Sequence, residues 1–413
     1  MQTPVYLDYN ATTPVAEAAV ARMQPYLRER FGNPSSSGHA FGWMAEEAIE
    51  LAREEVAALI GVDAGDAADA LTFTSGATEA LNLALKGVMD AYRPKGRHLV
   101  TCQTEHKAVL DTGRFLEEQG ADVTRLPVGA DGRLDPERFA DALTEETVLA
   151  CVMRANNETG VLQPTRRLAE IAREAGVLFL TDATQAAGKI PVDAPAEADL
   201  MVASAHKFYG PKGAGVLYRS RRRPRVRLTP LVHGGGQEDG LRGGTLNAPA
   251  LAGMGAAAER ARERRAEDAE RLRRLRDDFE ERLRAELPDV QINGAEAERL
   301  PQTASVTFEG VRAEKLESEL RDLAVSTGSA CSTGAQAPSH VLTAMGRSEA
   351  EARATLRFSL GRPTTAEEVA FAAERVPHSP FPPQPPCSKT SPTASPRARS
   401  PRSTSKRSGT GPT

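Results

Sequence analysis

Residues 199–213, DLMVASAHKFYGPKG, join an apolar run to a turn that carries Ser204, His206 and Lys207. An apolar run that stops at a Gly- and Pro-rich loop predicts a strand with polar side chains at its carboxyl end. A lysine there could form a Schiff base, because desolvation and a neighbouring cation lower its amine pKa from about 10.4. The alternative is a solvated lysine, which is the commoner state of this residue.

Similar apolar runs occur on both sides of this stretch and alternate with longer amphipathic ones. They predict further strands at 70–74, 98–101, 148–153, 177–181 and 215–218. Segments 79–92 and 165–175 are typical of the helices that separate strands. The alternation predicts an α/β fold, in which helices cover both faces of a mainly parallel sheet. In such sheets ligands bind beyond the carboxyl ends of the strands.

Three more strand ends carry candidate residues. Asp182 ends the strand in VLFLTDATQAAGK and is followed by Gln185. An acid at this place can keep a pyridinium nitrogen protonated. The alternative is that Asp182 is the N-cap of the next helix. His106, after Glu105, could lie over a flat cofactor ring or be structural.

The third strand end, at residues 75–78, begins a helix where backbone N–H groups could bind a phosphate. A capping box formed by Ser75 and Thr78 is the alternative interpretation, and the two could hold together.

The C-terminal half predicts a second, smaller α+β domain. Residues 256–287 and 313–323 are typical of helices, and 304–308 and 355–359 of strands. Helices expected at 16–28 and 45–59 could pack on either domain. We therefore divide the chain into an N-terminal arm (1–15), a large cofactor-binding domain (16–255), a small α+β domain (256–376) and a tail (377–413). The tail is rich in Pro, Ser, Thr, Lys and Arg, which predicts disorder or a shifted reading frame.

Composition limits the classes of function. The chain has 413 residues, 40% of them hydrophobic, and a net charge of -4 from 52 basic and 56 acidic residues. This balance does not indicate a nucleic-acid or membrane partner. We expect a cytoplasmic protein, since no signal-peptide pattern or membrane-spanning run is present. The four cysteines lack the spacing of a metal site or a disulfide framework.

Many short motifs occur together in one order. They are YLDYNATTP, FGNPSS, TFTSGATEALNLALKG, TEHKAVL, NNETG, DATQ, SAHKFYGPKG, HGGGQE, LRGGTLN, STGSACSTG and RFSLGR. This set resembles the cysteine desulfurase family, of the NifS-like and IscS-like group, over residues 5–376. The resemblance implies the fold of the class V, aspartate aminotransferase-like enzymes that depend on pyridoxal 5'-phosphate (PLP).

The resemblance also implies a role for each matching residue. Lys207 would hold PLP as a Schiff base, His106 would stack on the ring, and Asp182 would pair with its nitrogen. Gln185 would bond the ring hydroxyl, and Asn157 would support the ring. The phosphate would be bound by Ala77, Thr78, Ser204, His206 and, from a second subunit, Thr245. The substrate carboxylate would be bound by Asn33 and Arg357.

Cys331, in the small-residue segment STGSACSTG, would receive sulfur from L-cysteine as a persulfide and leave alanine. The resemblance implies transfer to an iron–sulfur scaffold or a thiolation protein, a homodimer, and transient ligation of a cluster by Cys331 but no resident metal. Cys102 and Cys151 fall in strand patterns and are expected in the core.

The chain departs from the family pattern at three places. Arg154 stands where many relatives have His, Ala205 replaces a common Gly, and the usual C-terminal helix is lost after Val376. Two alternative functions stay open at this point. One is a selenocysteine lyase or another class V lyase, and the other is a non-catalytic assembly partner.

Overall fold

The computed structural model describes residues 3–222, 225–287, 289–327 and 337–377. The strands are β1 (Val5–Tyr6), β2 (Leu71–Thr74), β3 (His98–Cys102), β4 (Asp122–Leu126), β5 (Thr147–Cys151), β6 (Leu178–Asp182), β7 (Leu200–Ser204), β8 (Gly215–Arg219), β9 (Val290–Ile292), β10 (Thr303–Phe308), β11 (Leu323–Ala324), β12 (Ser326–Thr327) and β13 (Thr355–Ser359). The helices are α1 (Glu17–Arg28), α2 (Ala40–Leu59), α3 (Ala64–Ala70), α4 (Ala77–Ala91), α5 (Lys107–Glu118), α6 (Pro136–Asp141), α7 (Thr165–Glu174), α8 (Ala194–Glu197), α9 (Ala248–Glu286), α10 (Ala313–Glu319), α11 (His340–Ala344), α12 (Glu349–Arg353) and α13 (Ala366–Arg375).

A mixed seven-stranded sheet forms the larger part of the fold, in the order β2-β8-β7-β6-β5-β3-β4. All of its strands run in one direction except β8, which lies antiparallel to both of its neighbours. Successive side chains point to opposite faces of a strand, so Val100 and Leu99 belong to different core clusters. One cluster packs under α2, α7 and α9, and the other under α4 and α5. The predicted α/β sheet covered on both faces is confirmed.

A smaller antiparallel sheet has the order β12-β13-β10-β9. Its core contains the second half of α9, α10 and α13. Val5 and Leu7 from the start of the chain join this same core. The first residues of the chain therefore pack against the C-terminal sheet.

Helix α9 is longer than the sequence indicates, because it begins at Ala248 rather than at 256. Its first three turns are buried nearly all round against α1 and α2, which hides the amphipathic pattern. The Asn247 side chain caps the helix by accepting from Ala250 N at 3.1 Å. Pro249 lies in the first turn, where a missing N–H costs little.

Two other differences have tertiary causes. The helix expected at 313–323 ends at Glu319, because Leu323 pairs with Val5 in a parallel bridge between β11 and β1. Strand β4 lies at the edge of the large sheet and is partly exposed, so its sequence DVTRL lacks a buried pattern. Among the described helices, none combines the length and apolar character that a bilayer crossing requires.

Candidate active site

The carboxyl ends of five strands meet at one edge of the large sheet. Strands β3, β5, β6 and β7 are parallel, and β2 shares their direction because β8 is antiparallel to both β2 and β7. Ser75, His106, Asp182 and Lys207 therefore come to the same edge. This edge is where parallel sheets bind their ligands.

Lys207 ends a short 3-10 turn after β7 and is partly buried. Its Nζ atom donates to the carbonyl oxygens of Asn10 at 2.6 Å and Ala11 at 2.8 Å. Thr13 fixes the turn, because its backbone N–H and its hydroxyl both donate to the His206 carbonyl at 3.0 Å. The lysine is therefore held by the N-terminal segment, and the solvated alternative is wrong.

Asp182 is 7% exposed at the end of β6, and its Oδ1 atom accepts from Thr184 N at 2.9 Å. Turns rather than a helix follow it, so the N-cap alternative is wrong. The hydroxyl of Thr184 is buried and has no protein partner. A buried carboxylate beside an unsatisfied hydroxyl is the environment that a bound polar ring would complete.

Gln185 and Lys189 form a hydrogen-bonded pair one turn further along the chain. Lys189 Nζ lies 2.5 Å from Gln185 Oε1, and Gln185 Nε2 donates to the Asn10 carbonyl at 2.8 Å. Burial lowers the pKa of Lys189 well below its ordinary value, and the positive charges of Lys207 and Arg357 lower it further. Sequence reasoning missed Lys189, although a single lysine within AAGKIPV is a visible signal.

His106 caps helix α5, and its Nδ1 atom accepts from Ala108 N at 3.1 Å. Burial lowers the pKa of His106, and Lys207 and His340 act in the same direction while Asp182 opposes them. The neutral ring that accepts at Nδ1 carries its proton at Nε2. His106 therefore presents a single N–H, assigned from its hydrogen bond.

Glu105 lies directly before His106 and is fully buried. Its Oε1 atom accepts from Met153 N at 2.7 Å, and its carbonyl lies 2.9 Å from His340 Nε2. Burial raises the pKa of Glu105 well above its ordinary value, and the Asp182 carboxylate adds to this. Glu105 thus ties the ends of β3 and β5 together as a buried acid.

The start of α4 forms a glycine-lined cradle. Gly76 occupies the N-cap position with φ +155°, and no side chain caps the helix, so the capping box expected from Ser75 and Thr78 is wrong. A Cβ atom on Gly215 would lie 2.5 Å from Gly76 Cα, so only glycine permits this approach. The first-turn N–H groups at Ala77 and Thr78 remain available to an anion.

Two polar side chains border this cradle. Ser204 is 2% exposed and lies across β8 from Thr74, since both pair with Gly215. His206 Nδ1 lies 3.1 Å from the Thr12 hydroxyl. Burial lowers the pKa of His206 to about 4, and Lys207, Lys212 and Lys189 lower it as well.

Arg357 reaches the N-terminal segment from the middle of β13. Its Nη2 atom lies 2.6 Å from Asp8 Oδ1, and Nη1 donates to the Asn157 carbonyl at 3.0 Å. The residue is 4% exposed, and its buried Nε atom has no hydrogen-bond partner. The Asn157 carbonyl also accepts from Asn10 Nδ2 at 3.2 Å, which connects Arg357 to the Lys207 cluster.

Two predicted site residues, Asn33 and Thr245, form no contact with this cluster among the described residues. Asn33 is exposed, and its Oδ1 atom accepts from Ser35 N at 2.9 Å within its own loop. Thr245 is exposed beside Gly244, whose N–H donates to Gln237 Oε1 at 2.8 Å. Cys331 lies outside the described residues.

Cys102, Cys151 and two of the departures from the family pattern, Arg154 and Ala205, lie within the described residues. Cys102 and Cys151 are buried, as expected, and burial raises the pKa of Cys102 to about 11 and that of Cys151 well above its ordinary value. Arg154 pairs with Glu197 at 3.1 Å and donates to the Gln163 carbonyl at 2.7 Å. Ala205 is buried in the turn before Lys207.

Comparison with known proteins places this arrangement among a large group. Residues 5–371 match the family described as aminotransferase class-V. The chain is 53% identical over 370 residues to a cysteine desulfurase IscS of Anaeromyxobacter sp. (strain Fw109-5), covering 89% of this chain and 90% of that protein. It is 50% identical over 377 residues to the cysteine desulfurase IscS of Neisseria meningitidis (strain FAM18), covering 91% and 92% of the two chains.

Solved structures give the same result at lower identity. A structure described as a NifS-like protein is similar with a TM-score of 0.82 at 37% identity, covering 90% of this chain and 98% of that one. A structure described as SspA in complex with cysteine has a TM-score of 0.75 at 37% identity, covering 86% and 98%.

Proposed function

The chain belongs to the aminotransferase class-V family, and from this premise we propose that its strand-edge cluster removes sulfur from L-cysteine with PLP. The protein is a cysteine desulfurase of the IscS type, an enzyme class that supplies sulfur for iron–sulfur cluster assembly. The observation that carries the proposed site is the convergence of Lys207, Asp182 and His106 with the open N-terminus of α4 at one sheet edge.

The residues at this edge fit PLP. A phosphate needs N–H donors, and α4 begins with a glycine cradle that no side chain caps. A pyridine ring needs an acid for its nitrogen, and Asp182 lies close to the buried, unsatisfied hydroxyl of Thr184. The aldehyde needs a lysine amine, and the carbonyl oxygens of Asn10 and Ala11 hold Lys207 Nζ at this edge.

Each residue then has a defined task. When bound, PLP would withdraw electrons from the α-carbon of the amino acid. Lys207 would hold the cofactor and then move a proton to and from the substrate carbon. Asp182 would keep a proton on the ring nitrogen. His106, neutral and with its proton at Nε2, would cover the ring and hold a proton near the departing sulfur.

The cradle and Arg357 would hold the two anionic groups. Ala77, Thr78, Ser204 and His206 would bind the phosphate, with Thr245 supplied by a second subunit of a homodimer. Gln185 and Asn157 would orient the ring. Arg357 and Asn33 would bind the carboxylate of L-cysteine, for which a guanidinium has matching geometry.

Cys331 is the proposed sulfur acceptor. Burial and raised pKa values make Cys102 and Cys151 unsuitable as thiolate nucleophiles. Of the other two cysteines, Cys331 alone lies within the segment STGSACSTG. The Cys331 thiolate would attack the substrate sulfur, so that an S–S bond forms, the C–S bond breaks and a proton goes to the β-carbon. The balanced products are alanine and a Cys331 persulfide.

The remaining parts of the proposal concern delivery and location. We propose that the persulfide passes to an iron–sulfur scaffold or another acceptor protein, with transient ligation of a cluster by Cys331, and that the protein works in the cytoplasm. The division at residues 15, 255 and 376 also stays a proposal. Separate core clusters in the large sheet and in the small sheet support two domains, although α9 runs through residue 255 and Val5 and Leu7 of the arm pack in the small-sheet core.

The test is alanine formation from L-cysteine by PLP-loaded protein with a thiol reductant. The Cys331→Ala variant should lose alanine formation by on the order of a thousandfold, because the nucleophile is removed. The matched control is Cys387→Ala, a cysteine of the 377–413 tail to which no role is assigned, and this variant should turn over like the unmutated protein. Equal alanine formation by both variants would rule out Cys331 as the acceptor, and no alanine from unmutated, PLP-bound protein would rule out desulfuration.

A further inference from the structure

A second lysine besides Lys207 lies at this site, and the proposed mechanism does not use it. Lys189 follows Asp182 by seven residues and is a partly buried residue of the turn 184–189. Its Nζ atom lies 2.5 Å from Gln185 Oε1. The charged form of Lys189 is unfavourable here, since burial and the charges of Lys207 and Arg357 all lower its pKa. Its contact with Gln185 offsets part of this cost.

The contacts of Gln185 fix which way its amide group faces. The Asn10 carbonyl can only accept a hydrogen bond, so the Gln185 atom 2.8 Å away must be the donor Nε2. The other amide atom, Oε1, therefore faces Lys189 Nζ and accepts a hydrogen bond from it. The Asn10 carbonyl thus sets the orientation of the amide, and the hydrogen bond from Lys189 to Oε1 stabilises that orientation.

The same contacts link the two lysines. The Asn10 carbonyl that accepts from Gln185 also accepts from Lys207 Nζ at 2.6 Å. A chain of hydrogen bonds therefore runs from Lys189 through Gln185 and the Asn10 carbonyl to Lys207. Because Nε2 carries two protons, one N–H of Gln185 remains after the bond to Asn10 and can face the cofactor.

We propose that Lys189 is a positioning residue that holds Gln185 as a hydrogen-bond donor toward the cofactor's ring oxygen. This inference rests on the proposed function, since it assumes that PLP binds beside Gln185. Without Lys189, Gln185 Oε1 loses its partner, and the side chain can rotate or present its oxygen to the ring. An oxygen facing an oxygen repels, whereas a donated N–H stabilises the ring oxyanion.

A double-mutant cycle tests whether Lys189 acts through Gln185. The variants are Lys189→Met, Gln185→Met and the double variant, with Lys95→Met as the matched control. Lys95 is exposed and bonds the Gly176 carbonyl far from the cluster. Three quantities are measured for each: the PLP dissociation constant of the apoprotein, the absorbance of bound PLP as a function of pH, and kcat and KM for L-cysteine.

Lys189→Met should bind PLP about tenfold more weakly, because Gln185 would no longer donate its N–H to the charged ring oxygen. The absorbance titration should move to higher pH, because the deprotonated cofactor loses a stabilising donor. The double variant should match Gln185→Met, kcat should fall more than KM changes, and Lys95→Met should resemble the unmutated protein.

Additive losses in the double variant, or an unchanged absorbance titration in Lys189→Met, would overturn the inference. Urea unfolding of each apoprotein shows whether a weaker PLP affinity comes from a folding defect. If Lys189→Met fails to fold, it is replaced by Lys189→Gln, which fills a similar volume. Failure of the unmutated protein to bind PLP is a different result, since it would reject the proposed function itself.

Discussion

His206 shows how its surroundings set the ionisation of a single residue at the strand edge. Its ring is partly buried beside Lys207, Lys212 and Lys189, and its pKa falls to about 4. In the unfolded chain a histidine takes up a proton near pH 6.5. The unfolded state therefore binds more protons than the folded state between these values, so acid destabilises the fold in this window.

The corresponding prediction compares His206→Asn with the unmutated apoprotein. Between pH 7 and pH 4 the unmutated protein should lose on the order of 2 kcal/mol more stability than the variant, after allowance for solvent screening. Urea unfolding across this range measures the difference. Parallel pH curves for the two proteins would contradict the assigned cause.

Lys207 has a direct chemical test. Borohydride reduction of PLP-loaded protein should attach the cofactor covalently to the peptide that contains Lys207, because the imine that a lysine amine forms with the aldehyde is reducible. Lys207→Ala should abolish the adduct, and Lys95→Ala should keep it. An adduct of full yield in Lys207→Ala would refute the assignment.

The sequence identifies those site residues that follow strand ends, and it misses those brought in from a distance. Lys207, Asp182 and His106 each end a strand pattern, and a parallel sheet gathers such ends at one edge. Asn10 and Asp8 contribute through a carbonyl and an ion pair to residues 197 and 349 positions away, and no local pattern indicates such contacts. Their roles in catalysis stay predictions.

At the scale of elements, the N-terminal segment that includes β1 and Leu7 packs on the small sheet from the far end of the chain. Leu7 is 1% exposed and lies in the core with Phe358 and Val369. Its backbone N–H donates to the Ala324 carbonyl at 2.9 Å. The N-terminal arm is therefore part of the C-terminal core.

Leu7→Ala should lower the free energy of unfolding by about 2–5 kcal/mol, through lost burial and a cavity. Leu27→Ala is the matched control, since Leu27 is 61% exposed on α1 and should change stability little. Urea unfolding of both variants measures the two changes in the free energy of unfolding. Similar small losses would mean that the arm does not contribute to the core.

Elements with a strong local pattern are predicted well, and those defined by distant partners are not. Strand β13 is found at its predicted residues, 355–359. Helix α10 stops four residues before its predicted end, because Leu323 pairs with a strand more than 300 residues earlier. The start of α9 was missed because it is apolar on all sides, which removes the periodicity that marks a surface helix.

At the scale of the whole molecule, cofactor binding should stabilise the fold by mass action. A ligand that binds only the folded state at 100 times its dissociation constant adds about 2.7 kcal/mol. PLP at this excess should raise the urea midpoint of the unmutated protein, and 4-deoxypyridoxine, which lacks the aldehyde and the phosphate, should raise it far less. Equal midpoints with and without PLP would mean that the folded protein does not hold the cofactor.

The ion pair between Asp8 and Arg357 can form only late in the synthesis of the chain. The two residues are 349 positions apart, so the arm leaves the ribosome long before its partner exists. At about 5–20 residues per second, translation separates them by roughly 17–70 s. Once the chain has passed residue 219, the sheet edge that bears Lys207 can form, but Arg357, the proposed carboxylate ligand, is still missing. With Arg357 in its proposed role, a nascent chain cannot bind its substrate until nearly all of the described fold has been made.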